Sequence, residues 1–153
     1  MKTIQYRTID KSAWGLGPWQ DEPDKIQWQD KATGLPCLAV RHDTMGHWCG
    51  YVGVPPEHPA HGKGYDDVEV NAHGGLTFSD KCFGTPEHGV CHIPDEGEPE
   101  HVWWLGFDCA HSGDLSPVMA ARHPDLALYA GSHYRTLDYV RHECRELARQ
   151  LAK

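Results

Sequence analysis

The sequence predicts a single α+β domain spanning 1–153, and three observations carry that prediction. Residues 136–152 hold an apolar stripe at helical spacing. Several short segments of strand character precede them. Gly and Pro are spread thinly through the chain, as in many ordered loops, and do not gather into a linker. Strands followed by a closing helix give a mainly antiparallel or mixed sheet with long ordered loops and a C-terminal amphipathic helix.

The elements follow in order. Residues 2–9 alternate polar and apolar side chains, enough for a strand. Residues 12–36 carry Trp14, Trp19 and Trp28 among several Gly and Pro and read as an ordered loop pinned by aromatics. Leu35 to Val40 and Trp48 to Val54 have strand composition; Gly50 and Gly53 in the second imply a bulge or a close backbone approach. Pro55 to Tyr65 is a surface loop, with His58 and His61 facing solvent. Asp67 to His73 alternates strictly, Val68, Val70 and Ala72 against Asp67, Glu69, Asn71 and His73, which predicts a half-buried strand. Val102 to Phe107 is apolar throughout and predicts a strand covered on both faces. Ser116-Pro117 starts a short helix that stops before Pro124. Thr136 caps the last helix, Asp138 favours its positive end, and Leu137, Val140, Cys144, Leu147 and Leu151 form its apolar stripe.

Composition excludes several function classes. The formal charge is −8 with no Lys/Arg cluster, so no nucleic acid partner is expected. Twelve His would offset that charge only below about pH 6.5. No stretch approaches the ~20 apolar residues of a membrane span, and Met1 to Ser12 has no apolar leader core. A cytoplasmic setting follows, in which Cys37, Cys49, Cys82, Cys91, Cys109 and Cys144 are free thiols; disulfides would need an oxidising compartment. No C-x-x-C pair is present.

Chemistry-bearing side chains concentrate where apolar runs meet glycine. In His73-Gly74-Gly75, two glycines after a strand free the backbone to turn N–H groups toward an anion; a plain tight turn explains the same residues. Asp108-Cys109-Ala110-His111-Ser112-Gly113-Asp114 is the densest run. A carboxylate leaving a buried strand needs a partner, and His111 is the natural one. Here Asp108, Cys109 and His111 are the catalytic candidates for an enzyme. Ligand contacts would come from His73, Gly74, Gly75, Thr77, Asp108, His111, Ser112, Asp114 and Trp104. The alternative is that the Asp residues cap turns and Cys109 is a small buried hydrophobe. Zinc is a possible cofactor, with His73, Cys91, Cys109 and His111 as candidates and Cys82, His88 and His92 nearby, although no zinc-class spacing occurs. Arg41-His42-Asp43 contains a His-Asp pair but follows a strand, unlike helical phosphohydrolase motifs.

Four runs together carry a resemblance. W-C-G-Y-V-G-V-P-x-x-H-P (Trp48 to Pro59), H-G-G-L-T-F-S (73–79), C-H (91–92) and W-W-L-G-F-D-C-A-H-S-G-D (103–114) look like a group of small bacteriophage and prophage proteins. The resemblance spans about 46–117. It carries no activity and so implies setting only: an accessory protein made during infection, in a class where some members sequester cyclic or ADP-ribose-derived immune signals. The expectation is a binding protein for a small, phosphate-bearing, nucleotide-like ligand, in some cases at a homo-oligomer interface. The alternatives are a hydrolase with a His/Asp/Cys site, zinc-dependent or not, and an inhibitor that occludes a host protein.

Overall fold

The computed structural model describes residues 1–125 and 132–153. Six strands form one sheet: β1 (Ile4–Tyr6), β2 (Lys25–Gln29), β3 (Pro36–Arg41), β4 (Trp48–Val54), β5 (Phe78–Asp80) and β6 (Trp103–Asp108). The order across the sheet is β1-β2-β3-β4-β6-β5, and every neighbouring pair is antiparallel. Among the described residues two α-helices accompany the sheet, α1 (Pro117–Arg122) and α2 (Leu137–Leu151). The α+β expectation holds.

Helix α2 starts and packs as its sequence dictates. Thr136 Oγ1 accepts the Tyr139 N–H at 3.2 Å. Val140, Cys144, Leu147, Ala148 and Leu151 meet Ile26, Ala39, Val52, Leu105 and Phe107 on one face of the sheet. Gly50 makes the close approach possible. A Cβ there would lie 2.4 Å from Phe107 Cζ and 2.8 Å from Cys144 Sγ. At the far end of α2, His58 Nε2–H donates to the Leu151 carbonyl at 2.6 Å, so His58 is half-buried rather than the solvent-facing residue expected. In α1, Ser116 Oγ accepts the Met119 N–H at 3.3 Å.

The opposite sheet face carries Leu38, Tyr51 and Trp104, which cluster with Val90 and Val102 from outside the strands. Its cover is the loop closed by a Cys82–Cys91 disulfide. This corrects the expectation of six free thiols; Cys37, Cys49, Cys109 and Cys144 are free. Two buried polar side chains of β2 sew the cover down. Lys25 Nζ donates to the carbonyls of Pro86, Gly89 and Cys91 at 2.5, 2.5 and 2.8 Å. The Gln27 amide donates to Ile93 O and accepts from Ile93 N–H.

Two further expectations are corrected. Asp67 to His73 is not a strand. Val68, Val70 and Ala72 do turn inward onto the helix-side core, but among the described residues no strand pairs with this segment. The Gln150 side chain instead accepts the Asn71 N–H at 2.7 Å and donates to the Asn71 carbonyl at 2.8 Å. A side-chain amide thus satisfies the peptide where a neighbouring strand would have done so. The 12–36 stretch, expected as loop, contains β2.

A buried ionic network joins these parts. Arg41 donates all five N–H groups: to Asp24, Gly46 O, the Tyr134 hydroxyl, Glu22 and Pro23 O. Asp24 also takes Lys11 Nζ at 2.6 Å, and Glu22 accepts the Leu137 N–H at the start of α2 at 2.6 Å. Two acids and two bases balance, which a buried cluster requires. Arg41 therefore serves the frame, and beside it His42 Nδ1 accepts the Thr44 and Met45 main-chain N–H groups.

Candidate functional site

The His73 turn comes first. The Gly75 N–H donates to Ala72 O at 2.9 Å, closing a turn with His73 and Gly74 at its centre. Gly74 has φ +69°, the left-handed region glycine reaches freely. A Cβ on it would lie 2.3 Å from His111 Cδ2. The absence of a side chain at 74 is thus what lets the turn lie on the His111 ring. The His73 and His111 ring centres are 6.0 Å apart.

Asp114 organises the cluster. Its carboxylate, 2% exposed, accepts from His73 Nε2 at 2.8 Å, from Arg135 Nε at 2.9 Å and from the His111 main-chain N–H at 3.0 Å. Burial raises its pKa, but the Arg135 and His73 hydrogen bonds and the His111 N–H outweigh burial and hold it below the usual carboxylate value. In the His73 ring, Nε2 faces the carboxylate, and Nδ1 is hydrogen-bonded to the Tyr139 hydroxyl at 2.7 Å. Both His73 nitrogens are therefore committed. Arg135 reaches Asp114 because the chain at His133 is bound to Gly113 and Leu115 by two main-chain hydrogen bonds.

Asp108 ends β6. Its oxygens accept the Ala110 N–H at 3.1 Å and the Thr77 hydroxyl at 3.0 Å. His111 Nε2 lies 3.1 Å from Asp108 Oδ1, within ion-pair range but outside hydrogen-bond geometry. That nitrogen is buried and has no hydrogen-bond partner among the described residues. The His111 side chain lines a cleft of about 190 Å³ together with His47, Cys109, Ala110, Asp114, Ser116 and Met119. His47 stacks on His42 at 4.8 Å, and burial, then His42, lowers its pKa and favours the neutral ring.

The other predicted residues separate. Cys109 borders the cleft but is 2% exposed, and burial drives its thiol pKa far up, so it lacks the thiolate a nucleophile needs. Trp104 is not at the site. It is fully buried under the disulfide loop, 5.2 Å from the His92 ring. Cys91 and Cys82 are bonded to each other, which removes both as thiolate ligands, and His88 is exposed on the loop between them. Ser112 and Thr77 are exposed, and neither lines the cleft. The anion nest expected of both glycine amides is half spent, because Gly75 N–H closes the turn. Among the described residues no three His, Cys, Asp or Glu side chains converge as metal ligands.

Sequence reasoning missed Arg135, Tyr139 and His47. Each reaches the cluster by tertiary packing, and only Arg135 had a local cue, a cation just before the cap of α2.

Fold and site together define an α+β protein with one antiparallel sheet, a helix on one face, a disulfide-closed loop on the other, and a histidine–carboxylate cluster at the end of β6. Comparison with protein-family models, curated proteins and solved structures found no match. Among the described residues no helix is long and apolar enough to cross a membrane.

Proposed function

We propose that the chain is a binding protein that takes a small polar, phosphate-bearing ligand at the His111 cleft. One observation carries this reading: the His111 side chain lines a cleft, and its buried Nε2 has no hydrogen-bond partner among the described residues. Buried polar atoms are seldom left unpaired, and a ligand oxygen would pair this one. Arg135, held to Asp114 through Nε, adds positive charge next to the cleft without lining it. A cleft of about 190 Å³ takes a phosphate group rather than a whole nucleotide. Sugar and base would lie outside it, over Gly74, Thr77 and Ser112. His73 acts as a pillar here, with both nitrogens bound to protein.

Sequestration of a nucleotide signal by an accessory protein of phage type belongs to the same proposal, resting on the sequence resemblance. So does a cytoplasmic setting, against which the Cys82–Cys91 bond weighs, since disulfides persist where the surroundings oxidise. A hydrolase reading keeps the close Asp108–His111 pair, with water as the nucleophile instead of Cys109.

Calorimetry with inorganic phosphate, ADP-ribose and cyclic dinucleotides tests the binding reading. Saturable heat with at least one of them, weakened about tenfold in His111→Ala, is expected for the loss of one hydrogen bond to a charged group. Absence of heat across the panel overturns it. Turnover that His111→Ala abolishes while binding persists would move the protein to the hydrolase class.

A further inference from the structure

The disulfide loop stands away from part of the sheet it covers, leaving a trough of about 670 Å³ whose floor includes Val40, Tyr51 and Phe78. Its size suits a drug-sized molecule. The Tyr51 and Phe78 rings meet edge-on at 5.2 Å, and Phe83 on the loop is 65% exposed at the trough wall. Tyr51 lies flat enough to reach Phe78 because Gly106 on the neighbouring strand has no side chain; a Cβ there would lie 2.3 Å from the Tyr51 ring.

The charge around this trough divides cleanly. Lys25 and Arg41 border it, but neither has a donor to spare: three Lys25 N–H groups meet three carbonyls, and five Arg41 N–H groups meet five acceptors. Asp24 is likewise saturated by Lys11, Arg41 and two main-chain N–H groups. The carboxylates of Asp10, Asp43 and Glu87 are exposed around the same trough and carry no lysine or arginine partner among the described residues, although Glu87 lies 3.7 Å from His88 Nε2. The uncommitted charge is therefore negative, above an aromatic floor. A second, independent sign is the Tyr51 hydroxyl. Tyr51 is only 9% exposed and lines the trough, yet its hydroxyl has no nitrogen or oxygen partner among the described residues and only the Cys49 thiol beside it.

We propose that this trough binds an organic cation, a primary or secondary ammonium carried on a flat apolar body. The ring of the ligand would lie against Tyr51, Phe78 and Phe83. The ammonium would donate to the Tyr51 hydroxyl and be drawn by the rim carboxylates, with cation–π attraction adding to both. The site is separate from the His111 cleft and asks for the opposite charge.

The test titrates the full-length, oxidised protein with 2-phenylethylamine, and with phenylacetate as the charge-reversed control, following tyrosine and tryptophan emission and heat. Saturable binding of the amine is expected, weakening as salt rises. Phenylacetate is expected not to bind. Asp43→Asn and Phe83→Ala change exposed residues and leave folding intact; each should weaken the amine severalfold. Tyr51→Phe should weaken it about tenfold, the loss of one charge-assisted hydrogen bond. No saturable amine binding, equal binding of phenylacetate, or amine affinity unchanged in all three variants would overturn the proposal. Phosphate binding at His111 is read separately and is indifferent to each of these outcomes.

Discussion

Replacing Gly50 by alanine tests the packing of α2 on the sheet. The added Cβ would lie 2.4 Å from Phe107 Cζ, 2.7 Å from Phe107 Cε1 and 2.8 Å from Cys144 Sγ. Carbon pairs sit comfortably at about 3.5–4.0 Å, so something must yield by about 1 Å. Neither neighbour has an easy exit. Phe107 is 1% exposed on a strand paired on both sides, and Cys144 is fully buried on α2. Overpacking of this kind costs about 1–3 kcal/mol. The methyl also restricts the unfolded chain, which returns about 0.4–1 kcal/mol. The net expectation is a loss of about 1–2 kcal/mol, equivalent to roughly 2–8 °C in Tm for a chain of this size. Urea unfolding followed by far-UV circular dichroism measures it. Phe107→Leu removes the closest ring atoms, so the double variant should lose less stability than the sum of the two single changes. Wild-type stability in Gly50→Ala, or strict additivity in the double variant, would refute the close helix–sheet contact.

Two pH effects follow from buried charges. Burial pushes Lys25 from 10.5 down to about 8. Between those values the unfolded chain binds more protons than the folded one, so stability contributed by this group rises with pH across that window. Wild type should gain on Lys25→Met as pH increases from about 8 to 10.5 in urea melts; a flat difference would mean that the three carbonyl contacts restore the ammonium in full. Asp114 has the same sign at the acid end, since its folded pKa also lies below the usual value, here 3.8. Its contribution is complete above that value and is lost as acid carries pH down through the folded pKa. Asp114→Asn should flatten that part of an acid-unfolding curve, and an unchanged curve would remove Asp114 from its role as hub.

The sequence made some elements plain for clear physical reasons. Strands β3, β4 and β6 and helix α2 each carry enough apolar side chains at one period to declare their buried faces. The β2 strand hid because Lys25 and Gln27, which look like surface residues, are 2% and 0% exposed under the disulfide loop. Asp67 to His73 misled in the reverse sense. Its alternation is real, but period two records which side faces the core and not whether a partner strand lies alongside. Glycine spacing hinted at Gly50 and at the His73 turn, while the ring that meets Gly74, that of His111, is 37 positions away and has no local signature. The Cys82–Cys91 pairing was equally invisible, because six cysteines without a motif leave every partner open.

The same buried network bears on whether the His111 cleft is built for binding. Glu22 accepts the first N–H of α2 and the Tyr134 hydroxyl, and Arg41 donates to that hydroxyl as well. These contacts fix the chain on both sides of Arg135 and Thr136. Arg135 in turn holds Asp114, and Asp114 holds His73 and the main chain of His111. Each link lies at least partly buried, so its geometry is set before any ligand arrives. A preformed site spares the ordering cost that otherwise subtracts from affinity. It also leaves Asp114 and His73 saturated, with little freedom to exchange protons with a substrate. Of the cluster's imidazoles, His111 alone combines a buried, unpartnered nitrogen with a place on the cleft wall. A frame this rigid supports the proposed binding reading over the hydrolase one.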